Sequence, residues 1–211
     1  MHFGMRKNSS AMRKSKVSPP FLLFFHQSPS VSAMDAKELY LLTVKENGLS
    51  DHEMEKLTDE ERKLLTRGEN AKFWLSRTER EKFKVVLTGG VFDVLHIGHV
   101  LTLEKAREQG DLLVIVVSTD ARVEQVKKRK PIHDMEYRRG MVAALKPVDL
   151  AISGSSDIME TFYRVRPDVV VFGYDQKVMD LPVPVKTVHL KEVISDPKLA
   201  KTSRIIRDLG L

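Results

Sequence analysis

Two histidines stand three residues apart where an apolar run gives way to a helical pattern, in the stretch VVLTGGVFDVLHIGHVLTLEKA (85–106). The apolar run closes on Gly89 and Gly90, where missing side chains let a nucleotide approach the backbone. A helix is expected to begin near Ile97–Gly98, and its free N–H groups and positive dipole end would form an anion site, most naturally for phosphate. His96 and His99 fall at that terminus and both can donate hydrogen bonds to phosphate oxygens, while Gly98 lets the phosphate come close. Other chemistry is open to the same residues. The glycines could mark a dinucleotide fingerprint, although GGVFDVLHIGH lacks the GxGxxG spacing. The histidines could ligate a metal, although spacing offers no third ligand, and either could be a structural histidine.

These residues need elements to hold them. From Lys84 onward, apolar runs at 84–88, 112–118, 148–153 and 168–173, with a weaker one at 184–190, alternate with helical patterns at 98–109, 119–128, 135–145 and 156–165. Continuous apolar strands separated by helices predict an α/β fold, a Rossmann-like, doubly wound parallel sheet of five strands covered on both faces. Such sheets bind ligands at the carboxyl ends of their strands, near the switch point, which is where the histidine motif falls.

The chain divides into three segments by texture: a tail over 1–33, a helical extension over 34–83 and the α/β domain over 84–211. The tail, with NSS, SPP and SPSVSA, has no periodicity and reads as disordered. Its apolar FLLFF is five residues long, against the roughly 7–15 of a secretory signal, and Met34 is an alternative start. The extension reads as three short helices. The first carries Leu39, Leu42 and Val44 on one side and stops at Asn47–Gly48; the second opens on a Thr58–Glu61 capping box and ends at Gly68; the third lies around AKFWLS with the lone Trp74. It is expected to pack on the domain or on a partner copy, with a DNA-binding helix-turn-helix as the alternative.

Composition narrows the class further. Of the formal charge of +6, the tail alone supplies five through Arg6, Lys7, Arg13, Lys14 and Lys16, leaving the body nearly neutral and without the composition of a nucleic-acid surface. No apolar run approaches the ~18 residues of a membrane span. The absence of cysteine excludes disulfides, thiolate metal sites and cysteine nucleophiles, and suits a cytoplasmic protein.

GGVFDVLHIGH resembles the G-x-F-D-x-x-H-x-G-H signature of the nucleotidyltransferase superfamily, which includes cytidylyltransferases, pantetheine-phosphate adenylyltransferase and archaeal-type FAD synthases. Class I aminoacyl-tRNA synthetases also carry HIGH, but this chain leaves no room for a tRNA-reading apparatus. The resemblance extends over residues 84–208. It implies that VSTDARVEQVKKRKPIHDMEYRR (117–139) presents cations to the triphosphate and the acceptor phosphate, with Lys127, Arg129, Lys130 and Arg138 as candidates. It places Gly89, Gly90, Val91, Phe92 and Asp93 against the nucleotide, with Asp93 shaping the loop or touching the acceptor. Gly173, Tyr174, Asp175 and Gln176 follow a strand end where relatives recognise the base. KTSRII (201–206) resembles the second phosphate motif, where Thr202, Ser203 and Arg204 would hold the β- and γ-phosphates, although Lys201 stands where relatives often have serine.

The implied reaction is attack of an acceptor phosphate oxygen on the α-phosphate of a nucleoside triphosphate, with pyrophosphate leaving. By the resemblance, His96 and His99 stabilise the pentavalent α-phosphate, Lys127 and Arg138 offset repulsion between two polyanions, and Mg²⁺ bridges phosphates without a direct protein ligand. VSTD and the lysine-rich segment are similar to glycerol-3-phosphate cytidylyltransferase; RKPI…RR.MV.ALKPVD followed by GYDQ is similar to archaeal FAD synthase. Gln176 stands where cytidylyltransferases tend to have tryptophan, and LAKTSRI replaces their fuller RTEGIST, so the resemblance favours AMP transfer from ATP to FMN. Cytidylyl transfer to a polyol phosphate is the alternative, and a nucleotide-binding regulator with a DNA- or protein-binding N-terminus is the non-enzyme alternative. The superfamily commonly forms dimers, and a homodimer is expected here.

Overall fold

A computed structural model describes residues 33–190 of the chain, apart from 69, 175 and 182. Five parallel strands form its centre: β3 (Val85–Gly90), β4 (Leu112–Val117), β5 (Leu150–Ser153), β6 (Val169–Phe172) and β7 (Lys186–His189), in the spatial order β5-β4-β3-β6-β7. Helices α5 (Ile97–Arg107), α6 (Asp120–Lys127), α7 (Met135–Ala143) and α8 (Ile158–Val165) connect them. The chain enters at the central strand, winds outward through β4 and β5, and returns to the far side of β3 with β6. The switch point therefore lies between β3 and β6, as expected for a doubly wound sheet.

Strand residues alternate between two apolar layers. Val85, Leu87, Leu112, Val114, Val170 and Phe172 face one cluster, which includes Phe162 and Val165 of α8. Val86, Leu113, Ile115, Val117, Val169 and Val171 face the other, with Leu103 and Ala106 of α5 and Val142 of α7. Period-2 side chains with apolar residues on both faces are what a two-sided sheet demands.

The preceding segment contributes α1 (Ala36–Lys45), α2 (Asp51–Met54), α3 (Asp59–Lys63), β1 (Leu65–Arg67), β2 (Phe73–Leu75) and α4 (Arg77–Arg80). Leu39, Tyr40 and Val44 of α1 join the first apolar layer. Tyr40 donates its hydroxyl to the Val165 carbonyl at 2.6 Å, and Arg164 donates to the Val44 carbonyl, also at 2.6 Å. The Thr58–Glu61 capping box forms as expected.

Two local expectations fail. The stretch around Phe73, Trp74 and Leu75 is a strand, paired antiparallel with Leu65–Arg67, rather than a third helix. The helix opened by Thr58 stops at Lys63, so Gly68 serves the reversal between β1 and β2 instead of ending a helix; its N–H donates to the Lys72 carbonyl at 2.7 Å. Three aromatic and apolar residues in a row carry no period, and their β preference wins once a partner strand is available. Gly48 holds the other corner, with φ of +82° and room for no Cβ: a methyl there would stand 2.9 Å from the Trp74 ring.

Candidate nucleotide site

The site is built where β3 ends. Gly89 and Gly90 pair with Val116 and Val117 of β4, and a Cβ on Gly89 would meet the Val116 carbonyl at 3.3 Å. Beyond them the backbone turns sharply: Phe92 has φ of 51° and is buried, where its ring lies 5.3 Å from that of His99. A Cβ on Gly90 would lie 2.8 Å from the Phe92 ring, so the second glycine makes the inward swing of Phe92 possible.

His96 is the N-cap of α5. Its extended backbone (φ −144°, ψ 169°) precedes the helix, and its Nδ1 accepts from the Gly98 N–H at 3.1 Å. A ring that accepts at Nδ1 carries its neutral-form proton on Nε2. The His99 N–H donates to the His96 carbonyl at 2.9 Å. Two of the first N–H groups of α5 are thus engaged by His96 rather than free, which alters the expected anion site: the imidazoles and the helix dipole carry more of the attraction. Gly98 is buried beneath them.

The two imidazoles stack, with ring centroids 4.0 Å apart and planes 30° from parallel. Burial first, and the neighbouring His96 second, push the His99 pKa down to about 4. His99 is accordingly neutral near pH 7. Its Nδ1 is buried without a hydrogen-bond partner among the described residues.

Asp93 is only 1% exposed, and both carboxylate oxygens are engaged. One oxygen accepts from the Ile132 and His133 N–H groups at 2.8 and 3.1 Å; the other accepts from Arg129 Nη1 at 2.8 Å. Arg129 also donates to the Lys130 carbonyl. Asp93 therefore fastens the 129–133 loop to the histidine loop, the loop-shaping task among those expected of it, and its oxygens face protein donors.

Arg138 has no exposed surface. Its guanidinium donates to the His133 carbonyl at 3.0 Å, the Val91 carbonyl at 2.5 Å, the Ser118 carbonyl at 2.8 Å and Asp120 Oδ1 at 2.6 Å. The expected direct contact between Arg138 and substrate phosphates meets a guanidinium committed to four protein acceptors. A planar fork with fixed N–H directions suits this joint between α7, the end of β4 and the motif loop.

Across the switch point, Gln176 joins the ends of β6 and β3. Its Nε2 donates to the Gly89 carbonyl at 2.6 Å, and its Oε1 accepts from the Gly173 N–H at 2.8 Å. Tyr174 is half-buried beside it. Asp175, and Thr202, Ser203 and Arg204 of the second phosphate motif, lie outside the described residues. Lys127 and Lys130 are exposed.

A cleft of about 190 Å³ opens beside the motif loop, lined by Val91, Ser118, Arg122, Val123, Val126 and Lys127. Only Val91 and Lys127 were expected there. The residues missed, above all Arg122, follow the stripe that helix spacing generates from Thr119: positions 122, 123, 126 and 127 share one side of α6. Among the described residues, no group of three histidine or acidic side chains could hold a metal ion. No described helix is long and apolar enough to cross a membrane.

Comparison with known proteins gives this geometry relatives. Residues 87–207 match the family model described as cytidylyltransferase-like. A protein named FAD synthase from Aciduliprofundum boonei is 47% identical over 131 residues, covering 57% of this chain and 87% of that one. A second FAD synthase, from Thermococcus sibiricus, is 39% identical over 142 residues, covering 63% of this chain and 95% of its own. The crystal structure of the lipopolysaccharide core biosynthesis protein from Thermoplasma volcanium is 37% identical, with a TM-score of 0.48 over 51% of this chain and 95% of that one.

Proposed function

The chain belongs to the cytidylyltransferase-like family and is a nucleotidyltransferase, and we propose that it transfers AMP from ATP to FMN, giving FAD and pyrophosphate. The observation that carries the choice of substrates is the pair of relatives named FAD synthase, matched over 87% and 95% of their lengths.

A phosphate oxygen of FMN attacks the α-phosphorus of ATP; the bond from that phosphorus to the bridging oxygen breaks, and pyrophosphate leaves with the electron pair. The nucleophile is already an anion, so no general base is needed, and catalysis reduces to positioning and to stabilising charge on the α-phosphoryl oxygens. His99, held neutral, and His96, with its proton directed to Nε2 by the Gly98 N–H, supply donors of fixed direction. Gly89 and Gly90 admit the nucleotide backbone to backbone, and Gln176 sets the spacing of the strand ends beside the base. Lys127, at the end of α6, attends the acceptor phosphate, as Lys130 can from the loop that follows.

Mg²⁺ would be held chiefly by the triphosphate, as this ion is commonly bound through substrate phosphates. A homodimer acting in the cytoplasm completes the proposal, the dimer being checked by light scattering. The decisive assay is pyrophosphate release with Mg²⁺, crossing ATP and CTP with FMN, glycerol 3-phosphate and 4′-phosphopantetheine. Release with ATP plus FMN, and FAD on chromatography, is the expected result. Release only with CTP and a polyol phosphate would replace it by cytidylyl transfer.

A further inference from the structure

The basic stretch that runs from the end of β4 through α7 contains more cations than the chemistry above uses, and their partners separate them. Arg129 pairs with Asp93 at 2.8 Å, Arg138 with Asp120 at 2.6 Å and Arg139 with Glu136 at 2.6 Å. Arg122 and Lys127 take part in no ion pair among the described residues, and Arg122 Nη1 donates only to the neutral Gln125 amide, at 2.9 Å. These two cations line the cleft beside Val91, whose other lining residues are Ser118, Val123 and Val126, with no carboxylate among them.

The cleft has an apolar floor. Val91, Val123 and Val126 line it, Val123 almost wholly buried beneath and Val126 left 55% exposed. A volume of about 190 Å³ is less than the roughly 300–1,000 Å³ that encloses a whole drug-sized ligand, so it takes one part of a substrate. Arg122 and Lys127 at the rim can donate to a phosphate, but the three valines offer it nothing. They suit a flat, largely apolar ring, and a guanidinium at the rim suits the face or edge of that ring.

We propose that this cleft is the acceptor's ring subsite: the isoalloxazine of FMN lies over Val91, Val123 and Val126 with the Arg122 guanidinium against it, leaving the phosphate-bearing chain to Lys127 and the histidine loop. The assignment rests on the FMN reading of the reaction. It makes Arg122 and Val126 determinants of acceptor choice rather than of nucleotide choice. A glycerol phosphate, having no ring, would draw nothing from them.

The test uses the full chain with Arg122→Ala, Arg122→Lys and Val126→Glu, at positions exposed enough to leave folding intact. KM is measured separately for FMN and ATP, and FMN binding is followed by flavin fluorescence with riboflavin as a competitor lacking the phosphate. Arg122→Ala is expected to raise KM for FMN about 3- to 30-fold, with Arg122→Lys failing to restore it because the ammonium is not planar. Val126→Glu is expected to raise it on the order of 10-fold by exchanging apolar floor for charge. KM for ATP stays within about twofold throughout, and riboflavin competes with FMN in the wild type. KM for FMN unchanged in all three variants, or no competition by riboflavin, overturns the subsite. A wild-type protein that makes no FAD from ATP and FMN fails the parent reading before any variant is compared, and the flavin assignment falls with it.

Discussion

The Arg138 guanidinium donates to the Val91 carbonyl at 2.5 Å while its side chain is wholly buried, tying α7 to the loop that carries both histidines. The same group reaches Ser118, Asp120 and His133, so one side chain sets the relative position of four segments. Its substitution should act on architecture before chemistry. Arg138→Met leaves three carbonyls short of a donor, at about 1–3 kcal/mol for each that stays unpaired, and costs little at Asp120, whose side chain is 41% exposed. Arg138→Lys, with one point charge for four acceptors, should recover only part of that. Chemical denaturation of the two variants checks it; loss of turnover at wild-type stability would instead put Arg138 in direct contact with substrate.

His96 does two jobs that a pair of substitutions can separate. As N-cap it accepts from Gly98, a role that alanine abandons at a cost of about 0.5–2 kcal/mol. Asparagine caps well but cannot place an imidazole N–H on the phosphate. His96→Ala should therefore lose both stability and turnover, and His96→Asn should regain the stability alone. Thermal denaturation beside steady-state kinetics reads the two effects independently.

For His99 the sign of the pH effect follows from its depressed pKa, about 4 in the folded chain against 6.5 as a free side chain. Between those values the unfolded state binds a proton that the folded state refuses, so stability is full above pH 6.5 and falls as pH drops towards 4, by up to about 3 kcal/mol. A His99→Gln variant should show a shallower loss over that window in urea denaturation. On turnover, His99→Ala should cost ~10²- to 10³-fold, the range for one preorganised donor. Turnover near wild type in that variant would remove His99 from the chemistry.

Gln176 bridges the Gly89 carbonyl and the Gly173 N–H across the switch point. Gln176→Ala leaves both half-buried groups unpaired at about 1–3 kcal/mol in total. The strand ends that flank the nucleotide lose their clasp, so KM for ATP should rise by about tenfold, one hydrogen bond's worth of free energy. KM for FMN should hardly move. Equal increases for both substrates would mean the clasp supports the whole site and not its nucleotide side.

The sheet was legible because its signals are local: β3 to β6 are runs of apolar residues separated by helical segments, while β7 (Lys186–His189) carries a weaker, largely polar signal. The glycine pair, the aspartate and the two histidines were likewise legible, since contiguous residues on a strand-to-helix turn are neighbours by covalent connection. What needed the tertiary structure is whatever depends on residues distant in the chain. Phe73–Leu75 became a strand because Leu65–Arg67 could pair with it. Arg138 read as a charged group available for substrate and Asp93 as either a loop-shaping or an acceptor-touching group; that both are joints depends on residues 36 to 47 positions away that offer donors and acceptors in a buried setting. Arg122 came into view for the complementary reason. An ion pair removes a cation from service, and only the folded arrangement shows which arginines have found a carboxylate and which face a cleft.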